Sequence, residues 1–419
     1  MRRVVNKIKQ DELVRSGGIF LVGSLLVAIL NYLYHLFMGR MLGPEEYGVL
    51  GSLFAIVYLV TFAGATFNKV ISKFTAELNG IGQKAALKYL IINGLLKISI
   101  FSSILFIIYL LFIPLIAKFM HLTDYIGLVI VGLIAFLSIL MSVIIGALNG
   151  MEKFVWQNGL NLITTALKFS IALLLVYLGF GADGALVAIA IGILAVIGIS
   201  FWPLKNELTT KISKKIQTRN VYLYAIPVLI ASVLPIVAIT LDQVLVKHFF
   251  TSIDAGFYAA AGNIAKIIWF GSGFLVSAIF PKIVSRKAKG KDTSRLLIKS
   301  LIYTSFLAFI GVGILSATPR LIVLLMYGKE YLEIVPIVGL FGVALGVFSI
   351  NQILIAYNLA MQKYGFLWYI LIGLILQIVG MILFHSVLSD IIKILLLSQI
   401  LIMGSMLIHN KKEFSKNGH

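Results

Sequence analysis

NYLYHLFMGRMLGPEEYGVLGSLFAI, residues 31–56, ends one long apolar segment, makes a short polar turn and begins another. A worn copy returns at residues 239–264, ITLDQVLVKHFFTSIDAGFYAAAGNI, with Asp254-Ala255-Gly256 standing 208 positions after Glu46-Tyr47-Gly48. Three more pairs recur at similar spacing. Phe67–Lys73 matches Phe280–Arg286 at 213, Gly150–Phe154 matches Ala360–Tyr364 at 210, and Ile113-Pro114 matches Thr318-Pro319 at 205. Chance likeness between apolar segments is common, but four matches in order, each at a loop, read as an internal duplication.

Composition sets the class. Of 419 residues, 60% are hydrophobic and 12% charged, where a soluble domain carries about 25% charge. Apolar runs of the roughly 20 residues that cross a bilayer recur throughout, and nothing alternates with the period of two that a membrane barrel needs. The expectation is an all-α polytopic membrane protein of about twelve transmembrane helices: 17–38, 47–67, 87–113, 125–148, 155–178, 183–204, 221–246, 256–280, 296–317, 333–357, 365–387 and 390–409. Pro227, Pro235 and Pro336 lie inside two of them, as membrane helices tolerate when neighbours satisfy the freed backbone groups. The basic start leads into a segment too long for a signal peptide, so the first helix is expected to stay. No cysteine is present, which removes disulfides and thiolate metal sites. No cofactor is expected.

The net charge of +19 would suit a nucleic-acid binder if it formed a patch. It sits instead in short loops. With the N-terminus placed in the cytoplasm, 26 Lys and Arg fall on that side and six on the other, a strong positive-inside bias that puts both termini in the cytoplasm of a cell-membrane protein. An offset spanning six crossings makes the repeat parallel, with its axis along the membrane normal. The division expected is a cytoplasmic segment 1–16, an N-terminal six-helix bundle 17–204, a basic linker 205–220, a C-terminal six-helix bundle 221–409 and a tail 410–419. Paired bundles of this kind suit alternating access.

Arg40-Met-Leu-Gly-Pro-Glu-Glu-Tyr-Gly48 after a first apolar helix, and Tyr327-Gly-Lys-Glu-Tyr-Leu-Glu-Ile-Val-Pro336 before the tenth, resemble signatures of the polysaccharide and lipid-linked oligosaccharide flippases. These form a branch of the multidrug/oligosaccharidyl-lipid/polysaccharide exporter superfamily. The resemblance implies two six-helix bundles in a V around a central, often cationic cavity. It also implies a role in turning a polyprenyl-pyrophosphate-linked sugar chain from the cytoplasmic to the outer leaflet. Many relatives have fourteen crossings and this chain has room for twelve. A lipid-groove mechanism that depends on two further helices is therefore not expected.

Ionisable residues deep in a membrane segment are costly and mark function by default. Lys97, Lys168 and Lys266 qualify. Asn158, Asn161, Thr165 and Lys168 share one helical stripe, so Lys168 either lines a substrate path or makes a structural hydrogen bond. Lys266 shares a stripe with Asn263, and Asp242 is its candidate counter-charge; a structural ion pair between two helices is the other reading. Lys97 is the weaker candidate, because its long stem can snorkel. Asn31 joins Ser24 and His35 on a stripe of the first segment, which helix packing through small polar groups explains equally well. Arg40 and its echo His248 are read as headgroup anchors. On this reading the stretch 40–48 identifies the family and builds the fold, while transport residues lie elsewhere.

A pyrophosphate head cannot cross hydrocarbon without losing its hydration; a wet cavity bearing lysines would carry it. The partners expected are a lipid-linked oligosaccharide, membrane lipids and a coupling ion, H+ or Na+, with no nucleic acid. The competing reading is a cation-coupled exporter of small amphiphiles. Such exporters usually use a buried carboxylate in their N-terminal half, whereas Glu45, Glu46, Glu77, Asp124, Glu152 and Asp183 all fall in or beside loops. An enzyme is disfavoured, because the loops are short and no catalytic constellation appears.

Overall fold

A computed structural model of the chain describes residues 12–209, 230 and 233–411. The expected N-terminal segment up to residue 11, most of the linker, the start of the seventh span with Pro227 and the tail after residue 411 lie outside the described residues.

Among the described residues the structure is helical, with no strand. The helices are α1 (Glu12–Gly80), α2 (Lys84–Phe119), α3 (Ile126–Gly150), α4 (Phe154–Tyr177), α5 (Gly181–Thr209), α6 (Leu241–Phe249) and α7 (Ser252–Ala288). They continue as α8 (Ser294–Ala317), α9 (Pro319–Met326), a 3-10 turn (Lys329–Ile334), α10 (Val335–Ala360), α11 (Phe366–Leu383) and α12 (Leu388–His409). Nine stretches among the described residues are long and apolar enough to cross a membrane. The chain is a multi-pass, all-α membrane protein.

α1 cannot be one rod. Its 69 residues would run about 100 Å, three times a bilayer core. It bends at Gly43 (φ 69°, ψ 175°), a conformation open to glycine, and Pro44 then removes the next backbone donor. The polar turn read in the sequence is this kink.

The chain packs as two units. One takes residues up to Leu42 and Ile56–Ser232; the other takes Gly43–Ala55 and Val233–His419. The sequence division kept 43–55 with the first bundle, and packing moves it to the second unit. The reason is backbone contact. A Cβ on Gly48 would stand 1.9 Å from the Ser252 carbonyl oxygen, and one on Gly256 would stand 1.8 Å from that of Pro44. Gly48 and Gly256 stand 208 apart, as do Pro44 and Ser252, so the repeat exchanges one contact for the other. Gly51 and Ala259, also 208 apart, meet directly, a Cβ on Gly51 falling 2.7 Å from that of Ala259. The two copies of the opening stretch thus meet through the same surface, an isologous contact that small residues permit.

Two turns also repeat. Glu152 (φ 58°) and Gln362 (φ 54°) hold matching left-handed positions, followed by Lys153 N–H on Leu148 O and Lys363 N–H on Asn358 O, both 2.9 Å. The proline pair does not repeat. Pro114 lies inside α2, whereas Pro319 starts a new helix, α9. In the first copy the helix simply runs on past residue 113.

The seventh span is broken, not continuous over 221–246. Residues 233–237 are helical, 238–240 form a turn, and α6 starts at Leu241. Pro235 supplies no donor, and the bonds tighten to three-residue steps, Ile239 N–H on Ile236 O (3.1 Å) and Thr240 N–H on Val237 O (3.3 Å). The break frees the Ala238 carbonyl. Gln377 Nε2 on α11 donates to it at 2.8 Å, and Ser398 Oγ on α12 donates to Gln377 Oε1 at 2.8 Å. All three residues are buried, so the orphaned group is satisfied inside protein.

Each unit has its own apolar core. In the first, Ile71, Leu87, Ile91 and Val143 join α1, α2 and α3, and Ile144, Leu160 and Val196 join α3, α4 and α5. In the second, Ile283, Leu297, Tyr357, Phe366 and Met406 join α7, α8, α10, α11 and α12.

Candidate functional site

The predicted residues gather into two clusters, one in each unit. In the first unit, Lys168 on α4 donates to Asn31 Oδ1 on α1. Its ammonium also stands 4.3 Å from the centroid of the Tyr34 ring. Asn31 Nδ2 donates back to Val27 O at 3.0 Å, leaving its oxygen for the lysine. Tyr34 is fully buried and its hydroxyl donates to Ala185 O on α5 at 3.0 Å. One helix turn on, His35 Nε2 lies 3.4 Å from the Tyr58 hydroxyl. A neutral amide and an aromatic face thus hold one lysine.

The other members of the α4 stripe do less. Asn158 is buried and donates to Phe154 O (3.1 Å), and Thr165 donates to Asn161 O (2.9 Å), so both bonds stay within the helix. Asn158 packs on α1, where a Cβ at Gly23 would come within 3.0 Å of its own. Asn161 is partly exposed. Lys97 stands with Ile100, Phe101, Ile104, Ile108 and Leu111 on the exposed apolar face of α2, a setting that suits a snorkelling stem.

The second unit holds a longer network. Tyr258 OH donates to Asp242 Oδ2 at 2.7 Å and the Gln243 N–H to Oδ1 at 2.9 Å. Asp242 is 3% exposed and occupies the first turn of α6, where a helix favours negative charge. It attracts Lys266 on α7 electrostatically. Lys266 Nζ donates to Asn263 Oδ1 at 3.3 Å, and Asn263 Nδ2 to Tyr47 OH at 2.8 Å. Tyr47 and Tyr327 hydroxyls then meet at 3.2 Å.

This corrects the separation made from sequence. Tyr47 belongs to the signature stretch yet bonds directly to the candidate Asn263. Both signatures enter the network, through Tyr47 and Tyr327. Arg40 is exposed as a headgroup anchor should be, but His248 is only partly so and packs edge-on against Phe249, 4.7 Å between centroids. A separate cavity of about 210 Å³ in the first unit, lined by Ile56, Leu105, Phe106, Tyr109, Val131 and Ile139 among others, is apolar and includes none of the candidates.

Sequence reasoning missed Tyr34, Tyr47, Tyr258, Tyr327, Gln377 and Ser398. A tyrosine in an apolar run reads as core, and only the recurrence of Tyr47 and Tyr327 inside the two signatures gave a signal. Among the described residues no group of acidic and histidine side chains suits a metal ion.

Residues 13–287 match the polysaccharide biosynthesis protein family. No curated protein matches by sequence. Among solved structures, the chain is similar to a multidrug resistance MATE family transporter of the MOP superfamily in its inward-facing conformation. That likeness has a TM-score of 0.76 at 14% identity and covers 94% of this chain and 96% of that one. The eukaryotic MATE transporter AtDTX14 is similar at TM-score 0.66, 13% identity and 96% of both chains. A MOP superfamily transporter from Pyrococcus furiosus, for which a binding pocket of reverse polarity suggests a different function, is similar at TM-score 0.62 and 14% identity, over 96% of this chain and 95% of that one. These likenesses speak for the fold, and the family match covers well over half of the sequence. The chain belongs to the polysaccharide biosynthesis protein family.

Proposed function

We propose that the protein is a transporter, not an enzyme, that carries a polyprenyl-(pyro)phosphate-linked oligosaccharide from the cytoplasmic to the outer leaflet of the cell membrane by alternating access. The observation that carries this reading is Lys168. It is a lysine within a membrane segment, held by Asn31 and the Tyr34 ring. Both partners are neutral, so the positive charge is not cancelled and an anionic head is attracted to it. The carboxylates Glu45, Glu46, Glu77, Asp124 and Glu152 of the N-terminal half are exposed, and Asp183 sits in the first turn of α5. Family membership supports a glycan-linked substrate, and the loop charges favour both termini in the cytoplasm.

A second reading, a cation-coupled exporter of small amphiphiles, draws on Asp242. Buried beside Tyr258 and Lys266, it is a group whose protonation or cation binding could couple to transport. Either H+ or Na+ would serve as the coupling ion in both readings. Leaflet-resolved transport in reconstituted vesicles separates them. The flippase reading expects a lipid-linked oligosaccharide to change leaflets at a protein-dependent rate. Efflux of a small cationic amphiphile without any lipid flipping would replace it with the exporter reading.

A further inference from the structure

The helical hairpins α1–α2 and α7–α8 make the same turn with different chemistry. In the first, Gly82 (φ 68°) donates to Asn79 O and Gln83 N–H to Leu78 O, both at 3.0 Å. In the second, Gly290 (φ 62°) donates to Lys287 O at 3.0 Å and Lys291 N–H to Arg286 O at 2.9 Å. Both bonds recur at an offset of 208, which sets Leu78 against Arg286 and replaces, for this turn, the sequence pairing of Phe67–Lys73 with Phe280–Arg286 at 213. Leu78, Asn79, Ile81 and Gln83 of the first turn are Arg286, Lys287, Lys289 and Lys291 in the second.

Topology alone does not call for this difference. The first hairpin meets the positive-inside preference with the cations of its helix flanks, Lys69, Lys73, Lys84 and Lys88, and keeps its turn neutral. The second carries cations at the same four turn positions as well as Lys282, Arg295 and Lys299 on its flanks. The turn is also anchored. Lys287 Nζ donates to Met361 O at 2.8 Å, and Thr293 Oγ1 meets the Tyr357 hydroxyl at 3.1 Å. The one acid nearby, Asp292, accepts from Ser294 N–H and Oγ at 3.1 and 2.8 Å, and its backbone oxygen accepts from Arg286 Nη1 at 3.4 Å, so the turn holds one acid against four cations. Arg286, Lys289 and Lys291 are exposed. In the segment after Met361, the loop to which Lys287 is tied, Tyr364 and Trp368 are 47% and 68% exposed, as aromatic residues at a membrane–water interface are.

We infer that the α7–α8 turn is a docking site for the headgroup of an anionic phospholipid, held by Arg286, Lys289 and Lys291. Three cations on a short, fixed turn match a phosphate-bearing headgroup at the bilayer surface, where each basic residue strengthens attraction to anionic lipid. The site is independent of the transport reading, since it uses neither lysine cluster.

The test uses the full-length protein with phosphatidylglycerol, phosphatidylcholine and a polyprenyl monophosphate as separate probes, reading bound lipid by native mass spectrometry. Wild-type protein should retain phosphatidylglycerol in preference to phosphatidylcholine, and added salt should weaken the preference. The triple variant R286L/K289I/K291Q installs residues that the same turn already carries in the first hairpin, so it should fold. Its phosphatidylglycerol affinity should fall about hundredfold, at about fivefold per cation. The reverse variant L78R/I81K/Q83K should gain a second retained phosphatidylglycerol. Unchanged retention in the triple variant overturns the proposal. So does selective loss of the polyprenyl monophosphate with phosphatidylglycerol unaffected, which would assign the turn to a substrate instead.

Discussion

The two lysine clusters solve the same problem in opposite ways. Lys168 is held by an amide oxygen and an aromatic face, an arrangement that satisfies its hydrogen bonding without cancelling its charge. Lys266 also bonds an amide, that of Asn263, but it feels the buried carboxylate of Asp242. The first cluster therefore sets a lysine against neutral partners, and the second sets one against a carboxylate. In the proposed function, attraction for an anionic head is assigned to the first. In the exporter reading, coupling to a proton or a cation is assigned to the second, where a carboxylate takes part.

Four substitutions break or sharpen that contrast. The largest effect is expected from Gly256→Ala. Its Cβ would enter the Pro44 carbonyl oxygen at 1.8 Å, and backbone cannot yield as a side chain can. Overpacking typically costs about 1–3 kcal/mol, and the upper end or beyond is expected here. The seating of Tyr47 on Asn263 should fail while the Lys168 cluster survives. Thermal unfolding in detergent, with tyrosine environment read separately for the two units, checks it.

Asp242→Asn should follow. Removing one partner of a buried charged pair costs about 3–5 kcal/mol, and partial exposure of Lys266 reduces this to about 2–3 kcal/mol. Wild-type stability, or an equal loss in the double variant D242N/K266M, would show that the clusters do not differ in charge balance. Gln377→Leu strands the Ala238 carbonyl at the helix break, a buried acceptor worth about 1–3 kcal/mol; hydrogen exchange in residues 234–241 should quicken. Tyr47→Phe is the mildest. It removes the hydroxyl that joins Asn263 to Tyr327, about 1 kcal/mol, and should shift the midpoint of unfolding slightly.

Much of this was legible in the sequence. Apolar length and loop charge gave the spans, and the kink at Gly43-Pro44 was visible as a polar turn between two apolar runs. The duplication found from residues alone reappears as equal turns at 152 and 362. The allegiance of 43–55 was not legible, because it depends on two glycines 208 residues apart meeting backbone to backbone. Nothing local to Gly48 announces its partner. The broken seventh span had its signal in Pro235, but tolerance of that proline and a true break look the same until Gln377 is found beside the Ala238 carbonyl. The α4 stripe illustrates the opposite error. Spacing put Asn158, Asn161, Thr165 and Lys168 on one face, yet the bonds of Asn158 and Thr165 turn back to their own helix, which short polar side chains do readily, while Lys168 hydrogen-bonds across to α1.

The central claim is that the uncancelled charge of Lys168 draws an anionic lipid-linked head. Leaflet-resolved transport of a lipid-linked oligosaccharide by Lys168→Met in vesicles, with Lys168→Arg beside it, tests this most directly. Methionine keeps the stem and removes the charge, so the rate should fall about 30-fold, the equivalent of about 2 kcal/mol of lost interaction with a charged group, while arginine keeps a substantial part of it. A methionine variant that transports at the wild-type rate would contradict the account.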